Sequence, residues 1–98
     1  MNKHLFSVYD SAAGMYLDPF VSPSQEFAIR EFRRVVNKPG HQFNEFPEDY
    51  TLFYIGEFNP ENGEIAANHP LSLGVAITFK DQMSLSEQLD LEENGRHG

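Results

Sequence analysis

Tyr50-Thr51-Leu52-Phe53-Tyr54-Ile55-Gly56-Glu57-Phe58 is the stretch on which the fold turns. It is apolar on both faces over most of its length, where a strand half in water would alternate. Such a strand lies inside a sheet, or a partner covers its second face. Asn59-Pro60-Glu61-Asn62-Gly63 follows as a turn, and Asn62-Gly63 favours a hairpin. A short strand around Glu64–Ala66 is expected to return.

Upstream, residues 3–10 alternate Phe6 and Val8 against Ser7 and Tyr9, the period of a strand with one inward face. Asp10 to Gly14 reads as a tight turn, and residues 15–21 as the partner strand. Pro19 lacks an N–H, which makes that strand an edge. Ser22-Pro23-Ser24-Gln25 reads as a helix start, with Ser22 as cap and Gln25 completing a capping box. The helix is expected from Pro23 to about Asn37. Ala28, Phe32, Val35 and Val36 form its apolar stripe, widened by Ile29, and Pro39 ends it. Residues 41–49 form a connector anchored by Phe43 and Phe46, with room for one helical turn.

Downstream, Leu71, Leu73, Val75, Ile77 and Phe79 alternate like a strand, although Leu73, Ala76, Ile77 and Lys80 also suit a short helix. The strand reading is preferred. The expected fold is therefore α+β: an antiparallel sheet of four to five strands in the order β-β-α-β-β, covered by one main helix. Residues 1–80 form the domain, and residues 81–98 an acidic C-terminal tail.

Composition narrows the function classes. The 98 residues contain no cysteine, so disulfides and thiolate metal sites are excluded. No run approaches the ~18 apolar residues of a spanning helix, so no membrane role is expected. Met1-Asn2-Lys3-His4 leads straight into an alternating segment rather than a secretory leader. The four histidines form no metal pair at helical spacing, and no serine elbow, phosphate loop or dinucleotide fingerprint occurs. Acid pairs such as Glu48-Asp49 and Glu92-Glu93 read as solvated loop carboxylates. No catalytic residue, metal ligand or cofactor is expected, and the chain reads as a binding protein rather than an enzyme.

The net charge of −8 argues against a molecule coated in cations for nucleic acid. The charge is uneven, however. Four of the seven bases, Arg30, Arg33, Arg34 and Lys38, fall in one nine-residue window. Spacings of three and four place the arginines on one helix surface, and the planar guanidinium suits phosphate. A solvated helix face, or pairing with Glu26 and Glu31, explains the same residues. Aromatics interleave with polar residues on the strands, Tyr16 and Tyr54 among them, and could stack unpaired bases. They could equally fill the core or a dimer interface. A strand apolar on both faces also fits a homodimer built across a sheet face or edge.

Four segments in this order resemble one family: Leu5 to Ser11 with Tyr16 to Phe20; Ala28 to Phe32 ending at Val36-Asn37; Pro47 to Phe53 with Gly56 to Phe58; and Pro70 to Ala76. Together they are similar to the small non-structural protein of the gokushovirus group of microviruses, phages with single-stranded DNA genomes. The resemblance covers about residues 4–80 and none of the acidic tail. It implies a DNA-associated protein of the host bacterial cytoplasm, acting in viral DNA synthesis and packaging, with single-stranded DNA as partner. It brings no contact residues with it. The expected DNA-binding set, Arg30, Arg33, Arg34, Lys38, Tyr16 and Tyr54, rests on charge and pattern. The alternative is a protein–protein adaptor that recruits the replication complex or procapsid through the acidic tail and an exposed strand.

Overall fold

The computed structural model describes residues 2–81. In chain order they form β1 (Lys3–Asp10), β2 (Met15–Tyr16), β3 (Phe20–Ser22), α1 (Gln25–Val36), the single turn α2 (Gln42–Glu45), β4 (Tyr50–Phe58), β5 (Ile65–Val75) and a closing 3-10 turn over Ala76–Phe79. The five strands make one antiparallel sheet, in the order β2-β1-β4-β5 with β3 also on β1. The α+β fold is thus as the sequence indicates. The two-faced β4 is an inner strand, hydrogen-bonded to β1 on one side and β5 on the other.

Strand pleating sorts the residues of the sheet by face. Phe6 and Val8 of β1 stand opposite Tyr54 and Leu52 of β4. Phe6, Val8, Tyr50 and Leu52 bury together with Ala28, Phe32 and Val36 of α1, Phe43 of α2 and Ala76 of the closing turn, and Tyr54 packs half-buried against them. This is the core of the described residues, and every described helical element lies on that side. Phe6, Leu52 and Val36 are fully buried. The apolar stripe expected for α1 is the one that packs.

Several boundaries move. Ser24, not Ser22, caps α1: its hydroxyl accepts the Phe27 N–H at 3.0 Å. Phe27 then occupies the position where a capping box places Glu or Gln, so no box forms. Ser22 is instead buried in β3 and donates to the Ser24 carbonyl at 3.1 Å. The expected strand at 15–21 is two short pieces interrupted at Leu17–Pro19, both paired with β1 at the sheet edge. Phe43 anchors the connector, whereas Phe46 is 57% exposed and anchors nothing.

The largest departure is downstream. The short strand at 64–66 and the strand at 71–79 are one element, β5, running to Val75. Its pairing skips between Ala67 and Leu71, where Asn68, His69 and Pro70 bulge opposite Ile55. Proline is tolerated here because β5 is an edge and the bulge needs no N–H. Past Val75 the chain leaves the sheet. Gly74, at φ 140°, lies so close to the Phe79 ring that an added Cβ would stand 2.7 Å from it. The 3-10 turn buries Ala76 and sets Phe79 edge-on to Phe32 at 5.6 Å. The alternation of residues 71–79 is therefore strand only in its first half. The Asn37 side chain donates to the Phe79 carbonyl (3.0 Å) and accepts the Asp81 N–H (2.8 Å), fixing the exit to the end of α1. The expected tail, Asp81 aside, lies outside the described residues.

Candidate nucleic-acid and partner interface

With 3.6 residues per turn, Arg30, Arg33 and Arg34 fall within an arc of about 100° on α1, opposite Ala28, Phe32 and Val36. All three are exposed, as is Lys38 just past the helix end. The cations thus gather on one outer flank, as their spacing implies. They do not stand alone. Arg33 is ion-paired with Asp81, and Arg34 with Glu31 at 3.0 Å. Glu26 does not pair with Arg30. Among the described residues, Arg30 and Lys38 make no side-chain hydrogen bond or ion pair. Arg33 and Arg34 also lie in the last turn of α1, where cations offset the exposed carbonyls.

Both ion pairs are open to solvent. The Arg33 and Arg34 side chains are 57% and 64% exposed. Such pairs contribute about 0–1 kcal/mol each and weaken with salt. They bias the guanidinium groups without sequestering them.

The two tyrosines separate from the strip. Tyr54 points to the helical side, half-buried against Phe6 at 5.5 Å and His4 at 5.6 Å, and its hydroxyl lies 3.3 Å from His4 Nδ1. Burial of the ring, then the neighbouring Glu57 carboxylate, raises its pKa. It is a packed ring rather than a free platform. Tyr16 stands opposite Tyr9, whose chain neighbour Val8 faces the core, so Tyr16 points to the other side of the sheet. The sheet therefore lies between Tyr16 and the arginine strip, and the six expected residues do not form one site.

That other side holds a second cluster, which periodicity does not assign to either face. Tyr9, Tyr16 and Phe53 meet there as an aromatic triangle, with centroids 4.8, 5.4 and 6.4 Å apart. Beside them runs an open apolar groove of about 360 Å³ lined by Tyr16, Pro19, Ile55, Ala67, Asn68 and Pro70. Register places Lys3, Leu5 and Ser7 of β1, Val21 of β3, Thr51 and Phe58 of β4, and Ile65 and Ser72 of β5 on the same side. Lys3 is the one charged side chain that register assigns to it. No described element covers this face. Ser7, buried within it, donates to the Leu17 carbonyl at 2.6 Å and needs no outside partner.

Among the described residues no group of three His, Cys, Asp or Glu is placed to hold a metal ion. No buried side-chain polar atom among them lacks a hydrogen bond, and no described helix is long and apolar enough to cross a membrane.

A model of the protein family described as Phage ORF5 protein matches residues 3–79 of the chain. No curated protein and no solved structure matches.

Proposed function

Because the chain belongs to the Phage ORF5 protein family, we propose that it is a non-structural accessory of a small gokushovirus-type phage, binding viral single-stranded DNA during its synthesis and packaging in the host cytoplasm. The observation that supports this reading is the exposed strip of Arg30, Arg33 and Arg34 on α1, turned away from the core, with exposed Lys38 just past the helix end. Each guanidinium can offer a phosphate two parallel hydrogen bonds, and an exposed carboxylate partner is readily exchanged for one. The contact set contracts to these four cations. Tyr54 belongs to the core edge, and Tyr16 lies across the sheet from the strip.

Titration of a fluorescent oligothymidylate at two salt concentrations tests it. Binding through up to four phosphates gives a log–log salt slope of roughly −0.7 per contact. Absence of binding at low salt, or a dissociation constant indifferent to salt, rules the reading out. Binding rather than catalysis is proposed because exposed guanidinium groups suit phosphate oxygens.

A second reading, an adaptor for the replication complex or procapsid, draws on the uncovered apolar face. Deleting residues 82–98 separates the two proposed adaptor elements. Capture that survives the deletion removes the tail from that reading.

A further inference from the structure

We infer that the uncovered sheet face is the contact surface of a homodimer, in which two copies stack face to face with both α1 helices outward. The face carries Tyr9, Tyr16, Val21, Phe53 and Ile65, and Lys3 is the one charged residue that register gives it. Tyr16, Val21 and Ile65 are 45%, 47% and 65% exposed. Among the residues that register assigns to this face, a basic partner finds no carboxylate to hold, and an acidic or phosphorylated partner finds a single lysine at one end. On a chain of net charge −8, a surface so free of acids suits a partner equally neutral and apolar, which a second copy of the same face supplies.

The size also fits. Four strand widths at ~4.8 Å, by nine residues at ~3.4 Å, give a footprint of roughly 600 Å² before side-chain relief. Even with Lys3, Ser7, Thr51 and Ser72 within it, that footprint reaches the top of the ~300–600 Å² range of the largest patch on a monomer, and it is about three-quarters of the ~800 Å² per partner of a standard interface. Two such faces stack as in a β-sandwich, ~10 Å apart, under a two-fold axis that sets each aromatic triangle against its counterpart or against the groove beside it. The arginine strips then lie on opposite outer surfaces, so the dimer and the proposed DNA contact do not compete. The inference does not depend on the DNA reading.

Sedimentation equilibrium of the full chain without DNA provides the test. A species of twice the 11.2 kDa chain mass is expected at micromolar concentrations. Tyr16→Asp and Val21→Asp each place a charge in the face and should leave monomers, with at least a tenfold loss of affinity. Phe46→Asp, on the helical side and equally exposed, should leave the dimer intact. Because the chain lacks cysteine, Ser72→Cys provides a second reading. Its thiol should react more slowly with a maleimide as protein concentration rises, whereas Gln42→Cys should not change. A monomer at all concentrations overturns the inference. So does a dimer indifferent to Tyr16→Asp and Val21→Asp, which would point to pairing along the β5 edge. Protection of Ser72→Cys that is independent of concentration also overturns it, because the chain's own residues 82–98 would then cover the face. Protection of a monomer by added oligonucleotide does so too, and assigns the face to bases.

Discussion

At the scale of single residues, the outcome turns on what a neighbour does to a side chain. Tyr50 is buried beneath Phe43, and burial, then the nearby Asp10 and Asp49 carboxylates, raises its phenol pKa. The fold therefore favours the neutral ring. This contribution to stability is complete below the unfolded value of about 10, and it is lost as pH climbs through the higher folded value. Tyr54 acts in the same direction. Tyr50→Phe should thus narrow the gap in urea midpoint between about pH 8 and about pH 11 relative to the parent chain. An unchanged gap would show that the phenol does not resist ionisation. The arginines carry the same lesson for sequence reading. Their clustering is legible from spacing alone. Their pairing is only half legible: Glu31 is local, but Asp81 lies 48 residues beyond Arg33 and is brought there by the chain's exit over Asn37.

At the scale of elements, periodicity shows what packs, and backbone chemistry shows where packing stops. The stripe of α1 reads directly because helical spacing is dense in the sequence. Its cap is ambiguous because Ser22 and Ser24 both offer a hydroxyl, and only the buried β3 pairing of Ser22 decides between them. Ser24→Ala should cost about 1 kcal/mol in chemical denaturation, while Ser24→Asp keeps most of the stability. Residues 71–79 misled because alternation continues in letters after the strand has ended in space. Gly74 marks the change. Its φ of 140° and its contact with Phe79 leave no room for a side chain. Gly74→Ala should cost roughly 1–3 kcal/mol. Combining it with Phe79→Leu should cost less than the two changes summed, because the shorter side chain relieves the clash but not the backbone strain. Additive losses would show that the ring and the glycine are uncoupled. The bulge at Asn68–Pro70 hid the continuity of β5 for a related reason: a proline reads as a break unless the strand is known to be an edge.

At the scale of the whole molecule, charge separates the two proposed surfaces. The faces of the sheet could not be told apart in the sequence, because β4 is apolar on both and register alone assigns Phe53 to one side and Leu52 to the other. Once assigned, they predict opposite responses to salt. Pairing two chains of net charge −8 brings like charges together around a neutral contact. Screening lowers that repulsion as the Debye length shrinks from ~14 Å at 0.05 M to ~4 Å at 0.5 M, by scaling from ~10 Å at 0.1 M. Dimerisation should therefore tighten several-fold over this range. Phosphate binding releases counterions and should weaken. Four contacts at a slope of about −0.7 each give a loss of two to three orders of magnitude for the same tenfold rise. Arg30→Ala with Lys38→Ala should reduce the slope by about 1.4 and leave the dimer untouched. If oligonucleotide binding and self-association instead rise or fall together with salt, or if Tyr16→Asp abolishes both, one surface serves both roles and their separation across the sheet is wrong.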